Sequence, residues 1–214
     1  MKHILPFAFL LAACSDTASP EIIEPDVRPN VVLETTLGDI EIEIYADTAP
    51  ISGEDFLMYV DEGLFDGEGF YRVVRPDNDP LEMGMSLIQG GIIDVGTSDD
   101  DYGAFTKPPI AHERTTDTGL SNVRGTVSIA RLEPGTGSAG FFFINIGDNT
   151  FLDYGGTRNP DGEGYASFGT VVSGMDVVEA IQAGEANGES PSPVTENQYL
   201  TEPVIITRAY RVED

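Results

Sequence analysis

Apolar and polar residues alternate along most of the chain after Asn30, and the short period of that alternation predicts a mainly β protein. Residues 31–35 and 40–45 are β-rich, and in the second run Ile40, Ile42 and Ile44 are separated by Glu41 and Glu43. Successive strand residues point to opposite faces, so the pair reads as a hairpin with one wet face, turned at Leu37-Gly38-Asp39. Further strand-like runs follow at 70–74, 87–89, 126–130, 141–146, 168–172 and 204–212. Two stretches break the period. Thr48 is the expected cap of a helix with Pro50 in its first turn and Glu54 and Asp55 near its positive end; Phe56, Leu57, Tyr59 and Val60 form its buried stripe and Gly63 stops it. Met175, Val178 and Ile181 space a second helix that ends at Gly184. These elements predict a closed eight-stranded antiparallel β-barrel capped by two α-helices, because closure removes the exposed edges of so long a sheet. No repeat or composition break divides residues 30–214, so one domain is expected, and a barrel without free edges is expected to be a monomer.

The first 29 residues follow a different pattern. Lys2 precedes ten apolar residues, 4–13, too few for a bilayer span of about twenty but suited to the core of a secretory signal peptide. Leu11-Ala12-Ala13-Cys14 resembles a bacterial lipobox, in which the cysteine is lipidated and becomes the first residue of the mature protein. That resemblance implies a signal peptide over 1–13, an envelope protein anchored by lipid at Cys14 and facing the periplasm, and, from Ser15, the outer rather than the inner membrane. A plain signal peptide with an incidental cysteine is the alternative. Residues 14–29, rich in Pro, Ser and acid, read as a flexible tether.

Charge narrows the partners. Asp and Glu number 37 against 11 Lys and Arg, a formal net charge of −26, and such a surface repels nucleic-acid phosphates and anionic headgroups alike. Cys14 is the single cysteine, so neither an intramolecular disulfide nor a cysteine-rich metal site can form.

A series of motifs carries the functional signal. In order they are Gly38-Asp39-Ile40, Ala49-Pro50, Phe56-Leu57, Tyr59-Val60, and Gly69-Phe70-Tyr71-Arg72-Val73-Val74; then Ile88-Gln89-Gly90-Gly91, Ala111-His112-Glu113, Gly119-Leu120-Ser121-Asn122, and Arg124-Gly125-Thr126-Val127-Ser128-Ile129-Ala130-Arg131. Phe142-Phe143-Ile144-Asn145, Asp148-Asn149, Phe151-Leu152-Asp153, Phe168-Gly169 and Val171-Val172-Ser173-Gly174-Met175-Asp176 complete the series. Together they resemble the cyclophilin-type peptidyl-prolyl cis-trans isomerases across almost everything after Asn30, with Ala130-Arg131 similar to the bacterial exported branch.

The resemblance implies rotation about X-Pro bonds in exported polypeptides. Amide resonance sets a barrier of roughly 18–20 kcal/mol, and a catalyst needs only to bind the twisted bond better than either planar one, with no nucleophile, metal or cofactor. It implies Arg72 as the catalytic residue, its rigid charged donors aimed at the twisted amide. The implied proline slot has walls of Phe70, Leu87, Phe143 and Leu152, with Phe151 at the rim, Gln89 offering a polar group to the substrate backbone, and Tyr165, Ala130 and Arg131 beside it.

The chain departs from the family pattern at several of these places. Tyr71 stands for the usual His, Ser86 for a Phe, Leu87 for a Met, Phe141 for a Gln, Phe151 for a Trp and Tyr165 for a later His. Ser86 threatens an aromatic wall and Phe141 removes an amide that steadies the arginine or the substrate. Residues 76–85 read as an insertion, from which Met83 or Met85 could re-enter the pocket, and residues 155–164 read as a loose Gly-rich surface loop. A proline-binding module without catalysis is therefore the alternative. Ser138 within Gly137-Ser138-Ala139-Gly140 lacks the first glycine of a hydrolase elbow, His112 lies in a connecting loop, and Asp153, Asp161 and Glu163 fit no recognised calcium spacing.

Overall fold

The computed structural model describes residue 28, residues 30–93 and residues 107–212, so the expected signal peptide and Cys14, and the tether apart from Arg28, lie outside the described residues. In chain order the elements are β1 (Asn30–Thr35), β2 (Gly38–Ile44), α1 (Pro50–Asp61), β3 (Gly69–Val74), β4 (Leu87–Gly91), a one-turn α2 (Thr115–Thr118), β5 (Thr126–Ile129), β6 (Phe141–Asn145), β7 (Ser167–Ser173), α3 (Met175–Gln182) and β8 (Tyr199–Arg211). The strands close into one barrel in the order β1-β2-β7-β5-β6-β4-β3-β8, every pairing antiparallel.

The alternating pattern explains the interior. Ile40, Ile42 and Ile44 of β2 are fully buried beside Val31 and Leu33 of β1, with Leu33 opposite Ile40 in the ladder. From α1, Phe56 enters the core and packs on Phe168, Phe65 and Phe142 at ring-centroid distances of 5.1, 5.2 and 5.4 Å. Each buried aromatic removes a large apolar surface from water, worth about 1.5–3 kcal/mol. Val178 and Ile181 fasten α3 in the same way.

Thr48 does not cap α1. Pro50 opens the helix, so the cap position falls on Ala49, which has no side-chain acceptor. The free amides of Ile51 and Ser52 donate instead to Glu113, at 3.2 and 2.7 Å, a carboxylate brought from across the chain to the helix's positive end. Asp55 turns inward and accepts from the Ala139 amide at 2.7 Å; burial pushes its carboxyl above the ordinary range.

Two further departures position the site. β8 begins at Tyr199, five residues before the apolar run that marks it in the sequence; Pro203 falls between its pairings with Arg72 and Phe70, where the missing amide costs no ladder bond. β3 carries a register shift between Phe70 and Arg72 against both neighbours. The bulge flips the facing of the strand: Phe70 and Val73 belong to the barrel interior, whereas Val74 joins a smaller cluster on the outside.

Candidate active site

Cross-strand pairing sets a row of side chains across the barrel wall. Tyr199 of β8 is opposite Arg72 of β3, Arg72 opposite Gln89 of β4, and Gln89 opposite Phe143 of β6. Gly90, after Gln89, has no room for a side chain, since a Cβ there would stand 2.6 Å from the Phe70 ring.

The apolar floor of this region is a cluster separate from the core. Val74, Met85, Leu87, Phe143 and Leu152 are buried in it, with Ala130, Phe151 and Tyr165 packed around them; Tyr165 meets Phe143 edge-on at 5.4 Å. The structure thus brings together Leu87, Phe143, Leu152, Phe151, Ala130 and Tyr165. Phe70 is a correction: on the inner side of the bulge it packs against Phe142 at 5.7 Å and forms no wall of the slot. Met85, the last residue of the insertion, fills out the cluster. Ser86 points away, its hydroxyl accepting from Gln182 Nε2 at 2.9 Å, so the feared gap is closed by its neighbour.

Above this floor Arg72 is held by amides. Its Nη1 donates to Gln89 Oε1 at 2.7 Å, and its Nε and Nη2 both donate to Gln198 Oε1, at 2.9 and 2.6 Å. Gln89 donates in turn to the Tyr71 hydroxyl at 2.9 Å, and the Tyr71 ring stacks on Tyr199 at 5.9 Å. Desolvation by burial pushes the Arg72 pKa down from its ordinary value, and the nearby Arg158 charge acts in the same direction. Both acceptors are neutral, so the guanidinium is oriented without a carboxylate to neutralise it.

Gln198 had no signal in the sequence, because it precedes the part of β8 that an apolar pattern reveals. It is fully buried and donates to the Asn78 carbonyl at 2.8 Å. The insertion supplies that carbonyl and is itself tightly folded: Asn78 Oδ1 accepts from the Arg75 amide at 2.7 Å, and Asp79 collects the amides of Leu81, Met83 and Met85. Phe141, standing where an arginine-steadying amide was expected, packs on the main core instead.

The Phe151-Leu152 turn is anchored from below. Asp153 accepts from Ser121 Oγ and from the Asn122 amide at 2.7 Å, and Asn122 Nδ2 reaches the Tyr165 carbonyl at 3.2 Å. The loop at 155–164 is not loose. Arg131 donates to the Gly164 carbonyl and in a fork to Asp161, and Arg114 forks onto Glu163 at 2.5 and 2.8 Å. Arg131 thus lies beside the slot, 5.2 Å from the Tyr165 ring, with its donors engaged by the loop. Asp153, Asp161 and Glu163 each turn to a different partner. His112 contacts the Glu163 carbonyl, whereas Ser138 pairs with Tyr59.

The Arg72 network and the second apolar cluster thus share strands β3 and β4 of an eight-stranded barrel. The model of the family described as Cyclophilin type peptidyl-prolyl cis-trans isomerase/CLD matches residues 30–211. The chain belongs to this family. It is 35% identical over 190 residues to peptidyl-prolyl cis-trans isomerase A of Dickeya dadantii, covering 89% of each chain. It is 38% identical over 160 residues to peptidyl-prolyl cis-trans isomerase B of Escherichia coli, covering 75% of this chain and 87% of that one. The fold is shared with a crystal structure of a Cryptosporidium parvum cyclophilin type isomerase, at 17% identity and a TM-score of 0.60 over 87% of this chain and 99% of that one. The same protein was also solved in the presence of the dipeptide Ala-Pro, and that structure matches with a TM-score of 0.59 at 18% identity over 86% and 99% of the two chains. Cyclophilin-type membership accounts for both layers of the architecture, the apolar core inside the barrel and the second apolar cluster outside it.

Proposed function

We propose that this cyclophilin-type protein accelerates cis-trans rotation about X-Pro bonds in exported polypeptides, with Arg72 stabilising the twisted bond. One observation carries the reading: a half-buried guanidinium, fixed by two neutral amide acceptors, beside the Met85, Leu87, Phe143 and Leu152 cluster. A planar amide has little basicity at nitrogen. Rotation localises the lone pair and alters the charge on the carbonyl oxygen, so a pre-oriented cationic donor favours the twisted state over either planar one. Burial strengthens that preference, because the donor acts in a medium of lower dielectric than water. The slot receives the proline ring by apolar contact, with Phe151, Tyr165, Ala130 and Arg131 around it and Gln89 within reach of the peptide backbone. Names of the relatives and the Ala-Pro dipeptide used with the Cryptosporidium parvum protein support the substrate class.

The test follows cis-trans exchange in a short proline peptide by NMR exchange spectroscopy, with residues 30–214, the region spanning the barrel, and its Arg72→Ala variant. Acceleration that falls at least about tenfold in the variant, about 1.4 kcal/mol of transition-state stabilisation, is the expected result. A folded parent that binds the peptide without accelerating exchange would leave the binding-module reading standing. The lipobox-like Leu11-Ala12-Ala13-Cys14 and Ser15 support an envelope protein anchored at Cys14 in the outer membrane and facing the periplasm; absence of labelled palmitate from the full chain expressed in a bacterium would remove the anchor.

A further inference from the structure

Acid is abundant in this chain, and most of its cations are matched to it. Of the ten described Lys and Arg side chains, Arg28, Arg75, Lys107, Arg114, Arg124, Arg131 and Arg211 each lie within 4.0 Å of a carboxylate. Among the described residues three are not matched: Arg208, which sits over Tyr210 on β8, Arg72 and Arg158. The last two are neighbours, near enough for Arg158 to disfavour the charge on Arg72. Arg158 belongs to the 155–164 loop, where its amide donates to the carbonyl of Phe151, the rim residue, at 3.3 Å. The next residue, Asn159, accepts from the hydroxyl of Tyr165 at 3.3 Å. Both residues also carry an unmatched donor: Arg158 Nε and Asn159 Nδ2 are shielded from solvent without an acceptor. The carboxylates of the same loop cannot serve, since Asp161 is forked by Arg131 and Glu163 by Arg114.

A guanidinium whose Nε is shielded without an acceptor, in a loop hydrogen-bonded to the rim residue Phe151, is a donor left for a ligand to satisfy. We propose that Arg158, together with Arg72, forms a subsite for a carboxylate side chain next to the substrate proline, so that acidic proline segments are the preferred substrates. The inference rests on the reading of the Arg72 slot as the proline site. It runs against the long-range field of the molecule, because a net charge of −26 repels acidic peptides. At physiological ionic strength that field is screened beyond about 8 Å, whereas a contact with Arg158 is not, and the opposition makes the two effects separable.

The experiment compares peptides of one sequence with Glu, Gln or Lys immediately before the proline, and a second set with the same changes immediately after it. Affinity is read from amide shift titrations and turnover from exchange spectroscopy, for the parent, Arg158→Gln, Arg158→Glu and Arg208→Gln, each shown to be folded by its amide spectrum. The subsite requires the parent to favour Glu over Gln by about tenfold at one of the two positions, about 1.4 kcal/mol. It requires Arg158→Gln to abolish that ratio, Arg158→Glu to shift it toward Lys, and Arg208→Gln, which removes an equal charge elsewhere, to retain it. A parent that ranks Lys over Gln over Glu at both positions obeys only the global field and overturns the proposal, as does a Glu preference that survives Arg158→Gln. Failure of the parent to turn over any peptide would refute the isomerase reading alone, because the affinities still decide the subsite.

Discussion

Two arginines flank the same slot and are held in opposite ways. Arg131 meets a carboxylate in a two-bond fork with Asp161, donates its Nε to the Gly164 carbonyl, and ties the 155–164 loop to the barrel. Arg72 is fixed as firmly, by three bonds, yet all of its acceptors are amide oxygens of Gln89 and Gln198. A carboxylate partner neutralises a guanidinium as it orients it, and a glutamine orients it and leaves its charge available. Geometry alone would class both as anchored side chains. The chemistry of their partners separates a structural cation from one that can act on a substrate.

The largest effect short of removing Arg72 is expected at Gln198. Gln198→Ala deletes the acceptor of two of the three Arg72 bonds and leaves the Asn78 carbonyl without its donor. Turnover should fall about tenfold, through kcat more than KM, since the lost orientation matters most in the transition state. The Arg72 Nε–H resonance, protected in the parent by its bond, should broaden through faster exchange with water, a readout that general destabilisation below the melting transition would not move selectively. Gln198→Glu sharpens the contrast: it restores an acceptor but adds a carboxylate, and should recover the resonance without recovering kcat. Full kcat in either variant would break the distinction drawn between the two arginines.

A smaller effect is expected on the other side. Arg131→Gln releases Asp161 and frees the loop that carries Arg158 and borders Tyr165. Turnover should drop by about threefold, mostly in KM, with melting lowered by a few degrees, as about 1 kcal/mol would give in a domain of this size. A loss as deep as that of Gln198→Ala would mean that Arg131 acts on the substrate after all.

The difference between these regions also governs what could be read before the structure. Strand alternation exposed the barrel, because Ile40, Ile42 and Ile44 or Phe142 and Ile144 carry their facing in their spacing. The slot residues Leu87, Phe143 and Leu152 were legible through the family motifs. Phe70 was misplaced because a bulge reverses facing at a point where the sequence shows no interruption. Gln198 was invisible because Pro203 splits β8 and the polar run before it resembles a loop, while Asn78 and Met85 lie in an insertion with no family counterpart to align. Local pattern reports which residues are buried. It cannot report that a glutamine more than a hundred residues from an arginine in sequence will meet it across a barrel wall, since that contact is fixed by closure.

The least effect, and the one that isolates charge, is in pH. Arg131, by hydrogen bonding first, holds the Asp161 carboxyl below its ordinary value, and Arg114 does the same to Glu163. A carboxylate whose folded pKa lies below its unfolded value contributes stability that is complete above the ordinary value near 4 and is lost as pH falls through the folded one. The melting gap between the parent and Arg131→Gln should therefore be constant from pH 8 to about 5, narrow below about 4, and close as pH falls through the folded Asp161 value. Each carboxylate is partly exposed to solvent, so screening keeps the change a shallow one. Neither Gln89 nor Gln198 titrates, and Arg72 keeps its proton across this range, so the two sides predict different curves from one experiment. Turnover of a neutral peptide should stay nearly level from pH 8 to 5 in both proteins; a sigmoidal loss of kcat within that window would place a titrating group on the Arg72 side, where the structure has put only amides, tyrosines and arginines.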